Sequence, residues 1–434
     1  MRIFLKTLLI IAAANFLRGN DLKADLYVGA AVKQINPAKP LPASGGLGIP
    51  NATKERKGDL TTRAIVLKNG ETVIAIAAID TLGFPGVLVD RVRKMVPQIP
   101  AENIMIGATH THSAPDCYAF PDGKGGHTAD LQYIDMVIQQ TAEAIHSALA
   151  AIKPSVLRIN TGEAKGQIAF NYYAPDLYDR RMSVIQALDK STAKPLATLV
   201  NYAIHPEVLG AGQGILSPDL IGPLCERLEK ETGAMALFMN GAQGGMITAD
   251  NRDLNKVRDP LRGYWEGKGT WEECQRIGHL MAAEAMRIIG QAPVQSNPTL
   301  YCKSKQVRFP VDSPELWSVI TLSPLKYPHH AADRSIDAQV NLVNLGNAQI
   351  LTIPGEALPN IGFYLKRKMK GENNLLFGLT NEAFGYILTK VDFRSFPRYD
   401  YVSRTSLGEM TGEILIEKSL EMVESAPVPE RVEK

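Results

Sequence analysis

The hydrophobic positions of the chain fall into short continuous runs, separated by segments with helical periodicity. Residues 72–79 form one such run, and a helical segment around 87–96 follows it. Apolar runs that alternate with helices are typical of strands buried on both faces. The sequence therefore predicts an α/β fold with a mixed, largely parallel sheet flanked by helices. Further strands are predicted at 103–107, 156–187 (as antiparallel strands), 197–203, 234–239, 300–311, 339–353 and 375–379, and helices at 131–151, 220–232, 271–289, 358–369 and 407–423.

Polar, reactive or glycine-rich residues follow five of these runs at the point where each run ends. Asp80 follows the first run and the segment 109–113, Thr-His-Thr-His-Ser, follows the second. Ligand sites in open α/β sheets form beyond the carboxyl ends of the strands, so we expect the five ends to converge on one crevice. The other three ends are His205-Pro206-Glu207, the glycine-rich segment 240–246 and Pro354-Gly355-Glu356.

Three of the eight histidines lie at these strand ends. His110 and His112 are two residues apart, which places both rings on the same side of an extended chain. Together with His205 and a distant carboxylate such as Glu356, they could form a catalytic zinc site with one open position. The histidine pair and Glu356 also have plainer interpretations. A histidine pair is often structural, and a glutamate is favourable at a helix N-terminus.

The glycine-rich segment 241–245 permits two interpretations. Its backbone N–H groups could approach an oxyanion, or the glycines could simply form a tight turn after the strand. The segment lacks the Gly-Lys-Ser/Thr ending of a phosphate loop and the spacing of a dinucleotide fold.

The N-terminus has the pattern of a secretory signal peptide. Arg2 and Lys6 precede an apolar stretch at 7–17, which is too short to span a bilayer. We expect residues 1–24 to be removed and the mature protein, 25–434, to be exported to the periplasm or the extracellular space. The alternative is a short buried helix.

Composition excludes several classes of protein. The 434 residues include 47 basic and 45 acidic side chains, so the net charge gives no reason to expect a nucleic-acid partner. The four cysteines match no zinc finger, although they would allow one or two disulfides. The length alone allows two or three domains or one large unit.

Five motifs, in this order along the chain, resemble those of the neutral (alkaline, non-lysosomal) ceramidase family. The similarity extends from about Asp25 to about Glu417 and covers the family's catalytic domain without its C-terminal β-sandwich. The resemblance therefore implies that 25–434 is one catalytic domain. The motifs are 108–113 (Ala-Thr-His-Thr-His-Ser), 201–206 (Asn-Tyr-Ala-Ile-His-Pro), 240–245 (Asn-Gly-Ala-Gln-Gly-Gly), 353–356 (Ile-Pro-Gly-Glu) and Gly385-Tyr386.

The resemblance also implies a zinc ion and a reaction. The reaction is hydrolysis of an N-acyl amide by metal-activated water, which would convert ceramide or a related N-acyl compound into an amine and a fatty acid. His112 matches the second histidine beside the metal and is a candidate general acid and base. Tyr399 looks like the tyrosine that polarises the scissile carbonyl, with Tyr401 as the competing assignment. The residues that match the zinc ligands, one ion per chain, are His110, His205, Glu356 and Tyr386.

Two departures from the family pattern concern the substrate. The family's glycine-rich segment continues into Ser-Pro-Asn with a catalytic serine, whereas Thr248 is the only nearby hydroxyl here. The family also has an asparagine–arginine pair where this chain has Asn171-Tyr172, and Arg180 or Arg181 would have to compensate. The metal site is therefore better supported than ceramide itself.

Three functions follow. The first is an exported zinc amidohydrolase of the neutral ceramidase type, acting on a lipid or small-molecule N-acyl substrate. The second is a zinc hydrolase of the same fold that acts on another amide, an ester or a glycan-linked group. The third, a non-catalytic metal-containing binding protein, is disfavoured because structural zinc sites are usually closed by four Cys or His ligands. No transmembrane segment is predicted, and contact with a membrane surface stays open.

Overall fold

The computed structural model describes residues 24–256 and 267–432, so the predicted signal peptide lies outside the described residues except for Ala24. The helices are α1 Gly86–Met95, α2 Leu131–Ala150, α3 Ile221–Thr232, α4 Trp271–Ile289, α5 Pro314–Leu322, α6 Pro359–Lys368, α7 Asp400–Arg404 and α8 Thr411–Ser425. The strands are β1 Leu26–Gln34, β2 Ala43–Ser44, β3 Glu55–Arg56, β4 Thr61–Asn69, β5 Thr72–Ile79, β6 Ile104–Ala108, β7 Ala114–Pro115, β8 Lys153–Glu163, β9 Ala169–Asn171, β10 Arg181–Asp189, β11 Pro195–Tyr202, β12 Ile215–Leu216, β13 Met235–Asn240, β14 Ile247–Ala249, β15 Val294–Gln295, β16 Leu300–Pro310, β17 Ser335–Leu345, β18 Ala348–Thr352, β19 Glu356–Ala357, β20 Asn373–Phe377 and β21 Tyr386–Ile387.

Two large sheets form the framework. The first has nine strands in the order β13-β11-β10-β8-β1-β4-β5-β6, with β15 paired to β8. The second has four strands in the order β16-β17-β18-β20. Four pairs of short strands, β12-β3, β14-β9, β19-β21 and β2-β7, fix the loops at the ends of the sheets.

The two sheets stack face to face between layers of helices. Side chains such as Ile76 and Leu237 of the nine-stranded sheet share one buried cluster with Val343 and Phe377 of the four-stranded sheet. The other face of the nine-stranded sheet is covered by α1 and α2 at one half and by α3 and α4 at the other. The outer face of the four-stranded sheet is covered by α5, α6 and α8. The order of layers is therefore helix, sheet, sheet, helix.

The nine-stranded sheet curves so that its two edge strands, β6 and β13, face the same segment after β20. Gly378 donates its backbone N–H to Asn240 at the end of β13, and Asn381 donates to Ile106 in β6. The backbone N–H of Ala108 in turn donates to Leu379. The segment 378–381 thus brings together two strand ends that the sheet order places farthest apart.

The predicted α/β class, with a mixed sheet flanked by helices, is confirmed. The share of parallel pairs is smaller than the sequence predicts, because only β5-β6, β11-β13 and β18-β20 are parallel in the two large sheets. The reason is that stacking against a second sheet buries a strand on both faces just as a helical layer does. Continuous apolar runs therefore report burial on two faces and not strand direction.

The four cysteines at 117, 225, 274 and 302 are free, so the possible disulfides are not formed. In the described part of the chain, no helix has both the length and the apolar character needed to cross a bilayer.

Removing one buried ring from the interface between the two sheets should greatly lower the free energy of unfolding. Phe377→Ala should lower the free energy of unfolding by about 3–5 kcal/mol, because it leaves a cavity between the sheets. Val32→Ala on β1, where the side chain is 42% exposed, should change it by about 1 kcal/mol or less. Chemical denaturation followed by circular dichroism measures both. An equal effect of the two substitutions would contradict the stacked arrangement.

Candidate metal centre and active site

His110 lies two residues beyond β6 in a strained backbone conformation. Its φ of 73° is in the left-handed region, which is uncommon for a residue with a side chain and is frequent at functional sites. Its backbone N–H donates to the carbonyl of Thr81 at 3.0 Å, and its Nδ1 lies 2.6 Å from the carbonyl oxygen of Leu82. A carbonyl oxygen only accepts, so Nδ1 carries the proton and the opposite nitrogen, Nε2, faces the site.

His205 follows β11 and is held in the same way. Its backbone N–H and its Nδ1 both donate to the carbonyl of Ile247, at 2.7 and 2.9 Å. Its side chain is completely buried. As in His110, the hydrogen bond at Nδ1 fixes the ring and points Nε2 towards the centre of the site.

Glu356 and Tyr386 enter the site from a second pair of elements. They lie directly opposite each other in the parallel pair β19-β21, so their side chains project from the same side. The Glu356 carboxylate oxygen Oε2 lies 3.0 Å from Nε2 of His205 and 3.5 Å from Nε2 of His110. The hydroxyl of Tyr386 lies 3.1 Å from the sulfur of Met246.

The electrostatics of this buried cluster favour a cation. Burial alone would raise the pKa of the Glu356 carboxyl, but His110 and His205 outweigh it and hold that pKa well below its usual value. Burial alone would lower the pKa of His205, yet its hydrogen bond with Glu356 raises it. Both shifts reflect the attraction between the Glu356 carboxylate and the imidazoles that face it, in a site with little water.

His112 completes a cluster of three imidazoles. Its Nε2 lies 3.3 Å from Nε2 of His110, and one ligand nitrogen from each of His110, His112 and His205 lies within 4.8 Å of the others. Burial, followed by the neighbouring His110 and His205, lowers the pKa of His112 well below its usual value. Its Nδ1 faces Oε2 of Glu207 at 3.7 Å.

The donor set fits a divalent metal such as zinc. Neutral imidazoles and a carboxylate are borderline-to-hard ligands that suit Zn²⁺, and the two Nδ1 hydrogen bonds to carbonyls are the outer support that metal-binding histidines usually have. The phenol of Tyr386 beside Glu356 is a further oxygen donor on the same side of β19-β21.

Asn240 links the two loops that carry the histidines. Its side-chain Nδ2 donates to the carbonyls of Thr109 and Ile204, at 3.2 and 2.7 Å, and these residues directly precede His110 and His205. Its Oδ1 accepts from the backbone N–H of Ile204 and from that of Gly241. One buried amide therefore fixes the spacing of both histidines.

The glycine-rich segment forms a turn after β13, as the second of its two interpretations has it, although a strand and not a helix follows. It connects β13 to β14, and Gly244 donates its N–H to the carbonyl of Ala357 at 3.0 Å. A Cβ at Gly244 would lie 2.0 Å from the carbonyl oxygen of Glu356. The glycine is therefore required for close backbone approach to the strand that carries Glu356.

A pocket of about 720 Å³, counting the space at its mouth, opens beside the histidines, and we call it the site pocket. His110, His112, Glu356 and Tyr386 line one side of it. The remaining walls are mostly apolar, as is usual for sites that bind small organic molecules. They include Leu316, Val319 and Ile320 of α5, together with Phe120, Phe384 and Leu407.

Of the two competing tyrosines, the site pocket is lined by Tyr401 and not by Tyr399. The ring of Tyr401 lies 5.8 Å from that of Tyr386, centroid to centroid. Tyr399 packs instead against Tyr173 and Phe396. The pKa of Tyr401 is raised to about 12, first by burial and then by nearby Glu356 and Glu207, so its hydroxyl keeps its proton at neutral pH.

Other predicted residues lie outside the described lining of the site pocket. Thr248 is in β14, where its backbone bridges to His205. Asn171 bonds to its own loop, and its side chain accepts from the N–H of Tyr173. Neither Arg180 nor Arg181 is among the residues that line the site pocket; Arg180 is paired with Asp176 and Arg181 with Asp179.

Some residues at the site carried no chemical signal in the sequence. Glu207 has no signal in the sequence beyond its place in the polar strand end His205-Pro206-Glu207. Tyr118 and Glu382 line the site pocket, although they belong to no motif. Helix α5, which supplies an apolar wall, was not predicted, since its sequence Pro-Glu-Leu-Trp-Ser-Val-Ile-Thr-Leu is short and lies between two predicted strands.

The metal site makes a direct prediction. The wild-type protein should bind about one zinc ion per chain, and His205→Ala should weaken zinc binding by about 100-fold or more. His279→Ala, on the exposed side of α4, is the matched control and should bind zinc as the wild type does. Affinity should fall as the pH is lowered, because the imidazoles must be neutral to bind metal. Wild-type zinc affinity in His205→Ala would refute the assignment.

Because the pKa of Glu382 is shifted, we expect the free energy of unfolding to depend on pH. Burial, aided by Asp90, raises the pKa of Glu382 from 4.5 to about 8. Between these values the unfolded chain has lost the proton that the folded chain keeps, so stability should fall as pH rises, by up to about 1.4 kcal/mol per pH unit. Chemical denaturation at about pH 5 and about pH 8 should show this loss in the wild type and in exposed Glu71→Gln, and not in Glu382→Gln. Identical profiles in all three would contradict the prediction.

No protein-family model and no curated protein matches the chain. Among solved structures, neutral ceramidase from Pseudomonas aeruginosa is similar, with a TM-score of 0.73 and 16% sequence identity over 95% of this chain and 76% of that one. A ceramidase complexed with C2 is also similar, with a TM-score of 0.70 and 16% identity over 95% of this chain and 77% of that one. At such identity the likeness establishes the fold, and function must be argued from the site. The resemblance carried by the sequence motifs is thus confirmed in three dimensions: the chain has the fold of neutral ceramidase.

Proposed function

We propose that the chain is a zinc-dependent hydrolase of the neutral ceramidase type that cleaves the amide bond of ceramide or a related N-acyl lipid. One observation carries the proposal: the buried cluster of His110, His205 and Glu356, with Tyr386 beside it, lies at the wall of a largely apolar pocket. Apolar walls bind an acyl chain, while a polar cluster at one side addresses its carbonyl end. The solved ceramidases of the same fold support this substrate class.

His110, His205, Glu356 and Tyr386 are the residues that would hold zinc. When bound, the ion supplies a Lewis acid that polarises a carbonyl oxygen and lowers the pKa of water to near 7. The protein residues then have three tasks: to bind the acyl chain, to orient the amide and to move protons.

His112 is the proposed general acid and base. Its lowered pKa keeps the ring neutral at pH 7, so that Nε2 or Nδ1 can accept a proton from water and return it to the leaving amine. Glu207, 3.7 Å from Nδ1, stabilises the ring when it is transiently protonated.

Tyr401 is the proposed donor to the carbonyl oxygen. Its hydroxyl stays protonated, and it lies in the site pocket beside Tyr386. A phenol placed there can hydrogen-bond to the negative charge that develops on the oxygen. The other two candidates from the family resemblance do not line the site pocket and would act only indirectly: Tyr399 lies in the 3-10 helix Pro397–Tyr399 and Thr248 in β14.

We further propose that 25–434 acts as one catalytic domain and that the chain is exported after removal of residues 1–24. The proposal rests on the charged and apolar pattern of the N-terminus. It agrees with a fold likeness that covers 95% of the chain.

Two observations favour the second function, a zinc hydrolase of the same fold with another substrate. Arg180 and Arg181 are paired with carboxylates elsewhere, and Thr248 does not line the site pocket. A hydrolase with the same metal site and a different amide or an ester as substrate would need neither an arginine nor a serine at those places.

The test is turnover of a panel of fluorescent N-acyl amides and matched esters by the zinc-loaded protein. We expect amide hydrolysis, with His112→Ala reducing kcat by about 100-fold or more while zinc stays bound. Tyr401→Phe should reduce kcat by about 100-fold and Tyr399→Phe by about twofold or less. Turnover of esters alone would favour the second function. Loss of activity in Tyr399→Phe with none in Tyr401→Phe would reverse the tyrosine assignment.

A further inference from the structure

A second cavity lies behind the site pocket, and the two share a wall. This rear cavity is a cleft open to solvent, of about 640 Å³ counting the space at its opening, and its lining combines Val87, Ile336 and Ala338 with polar residues such as Arg93 and Gln339. Three residues line both cavities: Tyr327, Glu382 and Phe384. These three residues, which we call the partition, are therefore what separates the two spaces.

Two members of the partition are anchored by hydrogen bonds. The hydroxyl of Tyr327 donates to the backbone carbonyl of Tyr118 at 3.0 Å. The carboxyl of Glu382 accepts from the N–H of Ala383 at 3.1 Å through Oε1, and its Oε2 lies against Gly86 at the start of α1. Both side chains are buried, so moving either would leave a polar group without its partner.

Phe384 completes the partition by packing alone. Its backbone is fixed because its N–H donates to the carbonyl of Pro354 at 3.1 Å, and its ring has no polar atom to anchor. The ring belongs to the buried cluster between the four-stranded sheet and its helices. Phe384 is therefore the member whose truncation opens the partition without stranding a polar group.

We propose that the partition of Tyr327, Glu382 and Phe384 is a length stop, so that the substrates of this site are N-acyl amides whose acyl chain ends at the partition. This inference rests on the proposed function. The apolar walls of the site pocket gain free energy with each methylene that they cover. An acyl chain that is longer than the pocket meets three packed side chains, which cannot move without a loss of stability. The chain therefore gains no further binding free energy beyond the partition.

The experiment measures kcat/KM for one fluorescent amine acylated with saturated chains from acetyl to stearoyl. In the wild type, kcat/KM should rise with the length of the acyl chain and then fall. Phe384→Ala should move the fall to longer chains, because it opens the site pocket towards the apolar part of the rear cavity, which Val87, Ile336 and Ala338 line. On the stearoyl amide relative to the octanoyl amide, the variant should gain about tenfold or more.

Leu316→Ala is the matched control. Leu316 lines the site pocket and not the rear cavity, so its truncation widens the pocket without opening the partition. The chain length at which kcat/KM falls should stay as in the wild type. Phe384→Leu should give a smaller shift than Phe384→Ala, and thermal melting of each variant shows that it is folded.

The inference is overturned if Phe384→Ala keeps the wild-type length profile, or if Leu316→Ala shifts the profile equally. Failure of the proposed function is a separate result, in which the zinc-loaded wild type hydrolyses no member of the series. Isothermal titration calorimetry of saturated fatty acids from butyric to stearic then decides the inference without catalysis. The length stop requires the wild type to bind long acids more weakly than octanoic acid and Phe384→Ala to bind them more tightly than the wild type does; equal affinities in the two proteins refute it.

Discussion

The site depends on one buried amide, that of Asn240. Its Nδ2 binds the carbonyls of Thr109 and Ile204, and each of these residues precedes one of the two best-buried histidines. The two loops follow β6, at one edge of the nine-stranded sheet, and β11, next to the strand at the other edge, so Asn240 joins loops that the strand order places far apart. A satisfied buried amide in a low-dielectric interior is costly to break, and it therefore holds His110 and His205 in one geometry.

The resulting cluster is unfavourable as an ordinary protein core, but it is well suited to bind a metal ion. Three imidazoles and a carboxylate converge where little water can solvate them. The left-handed backbone of His110 adds strain that the surrounding hydrogen bonds sustain. Backbone strain and crowded lone pairs are tolerated in folded proteins where function requires them. A bound divalent cation would relieve the repulsion between the lone pairs.

The sequence predicted the convergence of these side chains better than it predicted the framework around them. His110, His205 and Glu356 each follow an apolar run, and strand ends are where side chains leave the sheet. Strand direction was predicted less well, since an apolar run records burial on two faces whether a helix or a second sheet provides it. Tyr401 could not be separated from Tyr399 because both lie in one short helical turn region, and only packing decides which ring turns inward. Glu382 and Phe384 are brought to the pocket by the loop after β20, which no local pattern encodes.

The proposed function requires that His110, His205 and Glu356 bind one metal ion, which the apolar pocket presents to an acyl substrate. A crystal of the zinc-loaded protein, measured on both sides of the zinc absorption edge, tests it most directly. We expect one strong anomalous peak about 2.0–2.2 Å from Nε2 of His110, Nε2 of His205 and a carboxylate oxygen of Glu356. A zinc-loaded crystal with no peak among these three residues, or with its peak elsewhere in the chain, would contradict this metal site.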